Sequence, residues 1–220
     1  MKTDFKRELS AYTAVRGTFS IVQVPPLGFL MIDGEGDPNT APAYADALAS
    51  LYPLAYRVKF LSKNELDRDY AVMPLEALWW SDDMAAFTTA RDKSRWSWTL
   101  MIMVPDWITD EQVETARTAL AKKRTAPRLA DVSFARFEEG LCVQTLHVGS
   151  YDDEAPVLQE MHEEFLPANS LTLTGKHHEI YLSDARRTPT SKLRTILRQP
   201  VARVPDQPSL RTTSERGRSG

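Results

Sequence analysis

Two stretches of this chain follow one plan, and an internal duplication restricts the possible folds more than any single motif does. In the first, the apolar run Leu27 to Ile32 is followed by a helical pattern through Tyr44, Leu48, Leu51 and Val58, then by strand-like runs at Tyr70 to Trp80 and Trp96 to Val104. In the second, Leu141 to Val148 leads to a helical pattern with Val157, Met161 and Phe165 on its apolar side, then to His177 to Asp184 and Leu193 to Gln199. Leu75-Glu76-Ala77-Leu78 aligns with His178-Glu179-Ile180-Tyr181, and Thr99 to Pro105 aligns with Arg194 to Pro200. Each repeat therefore reads as β-α-β-β. A unit of this kind buries one sheet face only, so two must combine. The expected fold is α+β, with pseudo-twofold symmetry, a continuous sheet, helices on one side and a concave ligand pocket on the other. The expected boundaries are one domain over 1-204, made of repeats at about 18-125 and 132-204. Residues 205-220 are polar apart from Leu210 and read as a disordered tail.

Local signals agree with this outline. Pro25-Pro26 stops one strand, and Asp33 to Pro38 reads as a turn whose acids lack calcium-loop spacing. Pro42 belongs in the first turn of its helix, whereas Pro53 removes the bond to Ala49 and predicts a bend or two helical pieces. Thr109 with Gln112 makes a capping box, and Ser150 or Asp152 caps the helix of the second repeat.

The chemistry concentrates in His177 to Asp184. At a period of two, His177, Glu179, Tyr181 and Ser183 share one face and His178, Ile180 and Leu182 the other. A carboxylate and a phenol two residues apart on a strand can hold a cation, orient a water or move a proton. With the repeats in the alignment above, Glu76, Leu78 and Trp80 face the same space as Glu179 and Tyr181, which predicts an aromatic hollow containing two acids. Of the five tryptophans, Trp80, Trp96 and Trp98 are the expected walls, Trp79 faces the helix side as core, and Tyr151 overlooks the hollow from a strand-to-helix junction.

Composition removes other classes. A net charge of -3 supplies no electrostatic footprint for nucleic acid. Four histidines and one cysteine lack zinc-ligand spacing, so no metal is expected. There is no phosphate-cradling loop or nucleophile elbow, and no cofactor is expected. No apolar run is long enough to span a membrane, and the amino terminus has no secretory apolar region. These features predict a cytoplasmic protein whose partner is a small molecule, not nucleic acid or membrane.

Met73-Pro74-Leu75-Glu76-Ala77-Leu78-Trp79-Trp80, Trp98 to Ile102, Gly149 to Glu154, His178 to Arg187 and Ile196 to Pro200 together resemble the GyrI-like small-molecule-binding proteins, over about residues 4 to 204. The resemblance implies a duplicated β-α-β-β fold shared with effector domains of multidrug-responsive regulators, where an acid at the Glu179 position holds cationic drugs in an aromatic pocket. The stand-alone branch it resembles most includes enzymes described as cyclopropanoid cyclopropyl hydrolases, which open the strained ring of DNA-alkylating natural products. The expected catalytic residues are then Glu179 and Tyr181, and the expected ligand-binding residues Glu76, Trp80, Trp96, Trp98 and Tyr151. Two other readings stand beside this one. The chain is a drug-sequestering module without turnover, or an interaction protein whose hollow is filled by its own side chains.

Overall fold

The computed structural model describes residues 2–82 and 92–205, so the tail expected from residue 205 falls, from residue 206 onward, outside the described residues. In chain order the elements are β1 (Lys2–Thr3), α1 (Phe5–Glu8), β2 (Ser20–Val24), β3 (Leu27–Glu35), α2 (Pro42–Glu65), β4 (Asp69–Tyr70), β5 (Leu75–Trp80) and β6 (Ser97–Val104). There follow α3 (Asp110–Ala121), β7 (Ser133–Phe137), β8 (Gly140–Val148), α4 (Ala155–Gln159), a π-helical turn (Glu160–Phe165), α5 (Leu166–Ala168), β9 (Leu171–Leu173), β10 (His177–Tyr181) and β11 (Arg194–Arg203).

The main sheet runs β2-β8-β11-β10-β5-β6-β3-β7, with β9 added to β11. Its middle is the antiparallel pair β5 and β10. On either side lie the remaining strands of each repeat, β6 and β3 in one direction, β11 and β8 in the other, so the expected pseudo-twofold passes between β5 and β10.

The outer strands are exchanged between repeats: β2 leads into β3 but pairs with β8, and β7 leads into β8 but pairs with β3. The two pairings stay in step, with Val24 opposite Gly140 and, three residues on, Leu27 opposite Phe137. In a flat sheet β2 and β3 would lie six strand spacings apart, roughly 29 Å. Only Pro25 and Pro26 join them, a reach of about 11 Å. The sheet must therefore curl until its ends meet. Prolines suit this crossing because they have no N–H to leave unpaired where the ladder breaks.

Both layers of side chains follow. Inside the curl lie Phe29, Met101, Met103, Leu78, Ile180, Ile196 and Cys142, closed over by Ala11 and Tyr12 of the amino-terminal arm. On the outside, α2 covers β3 and β6 through Ala47, Leu51, Leu54 and Val58, and α3 packs on α2 with Val113, Ala116 and Leu120. The helical segment of the second repeat covers β8 and β11 through Met161 and Leu166, against Val143, Leu197 and Val201. Pro53 lies within one continuous helix, Pro42–Glu65, rather than dividing it into two. The capping box at Thr109 and Gln112 is formed. Ser150 accepts from the Asp152 N–H but caps the 3-10 turn Tyr151–Asp153, while the helix of the second repeat begins after Glu154 without a side-chain cap, so neither Ser150 nor Asp152 caps it as expected.

A buried polar cluster locks the inside. His178 Nδ1 lies 2.9 Å from Glu139 Oε1 and its Nε2 lies 3.1 Å from Glu76 Oε2. Arg198 donates to Glu139 Oε2 at 2.6 Å, to Gln144 Oε1 at 3.0 Å and to the Ala11 carbonyl. Tyr12 donates to Glu76 Oε1 at 2.6 Å. Burial alone would pull the His178 imidazole down, but Glu139 and Glu76 prevail and hold it up at about 9. Burial pushes Glu139 up in turn, but His178 and Arg198 bring it to about 2. Glu139 lies in the two-residue link between β7 and β8, so the cluster pins the strand crossing to the central strands.

Candidate functional site

The sheet register decides which acid reaches a cavity. In the alignment of the last strands, Ile102 corresponds to Leu197; their partners across the ladder are Leu75 and Glu179. The structural counterpart of Glu179 is thus Leu75, not Glu76. The sequence match of Leu75-Glu76 with His178-Glu179 is one residue out, and a slip of one sends a side chain to the opposite face. Glu76 and Glu179 accordingly point to opposite sides of the sheet, Glu76 into the curl and Glu179 toward the helices.

A large cavity follows Glu179. The concave face holds the polar cluster and the amino-terminal arm and, beside them, a cavity of about 570 Å³ lined by Met31, Asp33, Leu78, Thr99, Glu139 and Lys176. A larger cavity of about 1180 Å³ lies on the helix side, in the cleft between α2 and the second repeat's helix, over β5 and β10. The expected concave pocket is therefore present, while the space that Glu179 and Tyr181 face is the larger cavity on the helix side. The floor is Leu75 and Trp79 from β5 with His177, Glu179 and Tyr181 from β10. One wall is the stripe Tyr44, Leu48, Tyr52 and Tyr56, four residues apart along α2. Ala49 and Pro53 also line it, so the turn of α2 that lacks its proline hydrogen bond faces the cavity. The opposite wall comes from Ala155, Leu158, Gln159, His162 and Glu163, and Tyr151 and Glu154 stand at its start.

The side chains form a connected group. The Tyr181 hydroxyl donates to Glu179 Oε2 at 2.7 Å and accepts from Trp79 Nε1 at 3.0 Å. His177 Nε2 stands 3.5 Å from Glu179 Oε1. Tyr44 stacks on Trp79 with centroids 6.3 Å apart, Trp96 meets Trp79 edge-on at 5.7 Å, and Tyr151 meets Tyr181 edge-on at 5.5 Å. Burial, reinforced by Glu179, raises the Tyr181 and Tyr44 phenols well above their usual range. Burial, with Glu154 and Glu179, pushes Tyr151 up to about 12. These phenols remain protonated donors at neutral pH, and the carboxylates among them favour a positive or electron-poor aromatic guest.

Of the expected site residues, Glu179, Tyr181, Trp96 and Tyr151 come together here. Glu76 does not, since it is buried in the polar cluster with His178 and Tyr12. Trp80 lies on the inner face with Lys176 Nζ 3.1 Å from its ring centroid. Trp98 is on the correct face but fully buried behind Tyr44, 5.2 Å away edge-on, with its indole N–H on the Gly36 carbonyl. Trp79, read as core on the helix side, is buried core there and also forms a central part of the floor. Sequence reading missed Glu154, His162 and the tyrosines of α2. The four-residue spacing of Tyr44, Leu48, Tyr52 and Tyr56 was a usable signal for the last of these. Among the described residues, no group of three or more histidine, cysteine or acidic side chains is placed to hold a metal, and no helix is long and apolar enough to cross a membrane.

Comparison with known structures places this geometry. An uncharacterized conserved protein from Listeria innocua is 39% identical, with a TM-score of 0.83 over 91% of this chain and 100% of that one. A hydrolase from Listeria innocua is also 39% identical, with a TM-score of 0.79 and the same coverage. The EcmrR C-terminal domain, at 12% identity and a TM-score of 0.54 over 85% of this chain and 98% of its own, shares the fold. No functionally curated protein matches. The family of GyrI-like small molecule binding domains matches residues 17–202, and with a fold, a helix-side aromatic cavity and relatives that agree, the chain belongs to that family.

Proposed function

We propose that the cavity takes up flat, electrophilic aromatic xenobiotics and that the chain hydrolyses the cyclopropane ring of DNA-alkylating cyclopropanoid compounds, as a detoxifying enzyme. The observation that carries this reading is Glu179, set in the floor of an aromatic cavity and held by the Tyr181 hydroxyl at 2.7 Å. Two Listeria proteins described as hydrolases, 39% and 38% identical, support turnover over mere retention.

In this mechanism Glu179 orients a water and takes its proton as the oxygen attacks the cyclopropane methylene. The ring C–C bond breaks, and its electron pair passes into the conjugated dienone, which becomes a phenolate. The proton held by Glu179 then returns to that oxygen, so water adds across the broken bond. Tyr181 has its only proton committed to Glu179 and works by positioning the carboxylate. Tyr151 is the phenol that donates to the developing phenolate. The stack of Tyr44 on Trp79, with Trp96 beside it, holds the flat body of the substrate.

The test is incubation of the protein with a cyclopropane-bearing alkylating natural product, with the ring-opened product followed by mass spectrometry against a no-protein control. Multiple turnovers, lost in Glu179→Gln, are expected. Binding without product would instead leave a module that sequesters amphipathic cations with Glu179 as counter-charge. A cavity of about 1180 Å³ argues against the third reading, a hollow filled by its own side chains.

A further inference from the structure

The helix of the second repeat is not uniform. Between α4 and α5 the segment Glu160–Phe165 winds as a π-helix, and its face carrying His162 and Glu163 lines the cavity. Pro167 lies just beyond, without the N–H that an α-helix would direct to the Glu163 carbonyl, which gives a local cause for the widened turn. Turns of this type recur where a helix must re-aim a side chain at a site. Here the turn presents His162 to the cavity. Its Nε2 is shielded from solvent and has no hydrogen-bond partner among the described residues. A buried ring nitrogen without a partner is costly, and the cavity is where a partner can arrive.

We propose that His162 is a specificity-determining residue of the cavity, and that its Nε2 accepts a hydrogen bond from an N–H or O–H group on the ligand's aromatic body. This rests on the reading that the cavity is the ligand site, and it adds a requirement that aromatic walls and an acid do not impose. Glu179 answers a positive centre and Tyr44, Tyr52 and Tyr151 offer phenol donors, whereas His162 supplies an uncharged acceptor on the wall opposite α2. The electrostatics agree. Burial lowers the His162 pKa and His177 lowers it further, against a smaller opposing effect of Glu163, so the ring is neutral at neutral pH, and in the tautomer with its proton on Nδ1 it offers the Nε2 lone pair. Ligands carrying a donor are then preferred over ligands of equal charge and size without one, because only the former satisfy the nitrogen.

The experiment compares two aromatic cations by calorimetry: tetraphenylphosphonium, which has no donor, and ethidium, which carries two aryl amines. His162→Phe, which keeps a ring in place, is expected to weaken ethidium more than tenfold and to leave tetraphenylphosphonium within twofold. His162→Gln, whose amide reaches close to the position of Nε2, is expected to recover part of the loss. An equal effect of His162→Phe on both cations, or none on ethidium, overturns the inference while leaving the cavity reading intact. Failure of the parent protein to bind ethidium overturns the inference, while the cavity reading is decided separately by the ring-opening assay.

Discussion

The Tyr181 hydroxyl stands between two partners, donating to Glu179 Oε2 at 2.7 Å and accepting the Trp79 indole N–H at 3.0 Å. Aromatic floor and carboxylate are therefore one unit. Tyr181→Phe leaves a buried indole N–H and a carboxylate oxygen short of a partner, a loss of about 1 kcal/mol, or roughly fivefold in affinity. Titration with tetraphenylphosphonium is expected to show that drop for Tyr181→Phe and a loss above tenfold for Glu179→Gln. Unchanged binding by Tyr181→Phe would remove Tyr181 as the residue that positions the acid.

Glu76 and Glu179 offer an internal contrast, since one is committed to structure and the other to the cavity. Glu76 receives the Tyr12 hydroxyl and faces His178, so Glu76→Gln is expected to lower unfolding stability by about 3 kcal/mol, as breaking a buried ion pair does. Its folded fraction should bind the cation normally. Glu179→Gln is expected to do the reverse. Urea unfolding and calorimetry on the two variants check this, and a parallel fall in both quantities for both variants would contradict the division of labour.

The difference between these two acids is also where the sequence stopped being readable. The repeat, its strand and helix order and the proline and cap signals all reflect short-range patterns, and they survive in the structure. The face of each strand is also short-range, which is why Glu179 and Tyr181 were correctly paired and His178 correctly set apart. Relating one repeat to the other required an alignment good to one residue, and Leu75-Glu76 matched the wrong step. The curl of the sheet depends on which strands exchange, and Pro25-Pro26 signals a break without naming the partner. For that reason Glu139, in a two-residue link, carried no sign that it would reach His178 and Arg198. Trp79 is core on the helix side as expected, and it carries a second role as cavity floor because the helices leave a cleft above it.

The cluster on the inner face makes stability depend on pH from both sides. His178 is held up at about 9, so its contribution is complete below the usual histidine value and is lost as pH rises through 9. Glu139 is held down at about 2, so its contribution is complete above the usual carboxylate value and is lost as pH falls through 2. Stability from this pair is greatest between about pH 5 and 6. Urea midpoints are expected to fall on both sides of that window, by about 2–3 kcal/mol in free energy toward pH 9. In His178→Gln the alkaline slope should flatten, and an unchanged slope would place the responsible group elsewhere.

Gly34 is the tightest constraint behind the cavity wall. It faces Trp98 across the β3–β6 ladder, and a Cβ there would stand 2.1 Å from the indole Cη2. The ring has nowhere to retreat, since it is fully buried, bonded to the Gly36 carbonyl and backed by Tyr44 at 5.2 Å. Gly34→Ala is expected to cost about 2–3 kcal/mol through overpacking. The same change in a Trp98→Leu background should cost less than half as much, because the smaller side chain frees the space. The strain can reach the cavity floor through Tyr44, which stacks on Trp79, and through Trp79 itself, the partner of Trp98 across the β5–β6 ladder. Gly34→Ala should therefore also weaken tetraphenylphosphonium binding in the folded fraction, although neither Gly34 nor Trp98 lines the cavity. Lost stability with unchanged affinity would show that the displacement of Trp98 does not reach the cavity floor.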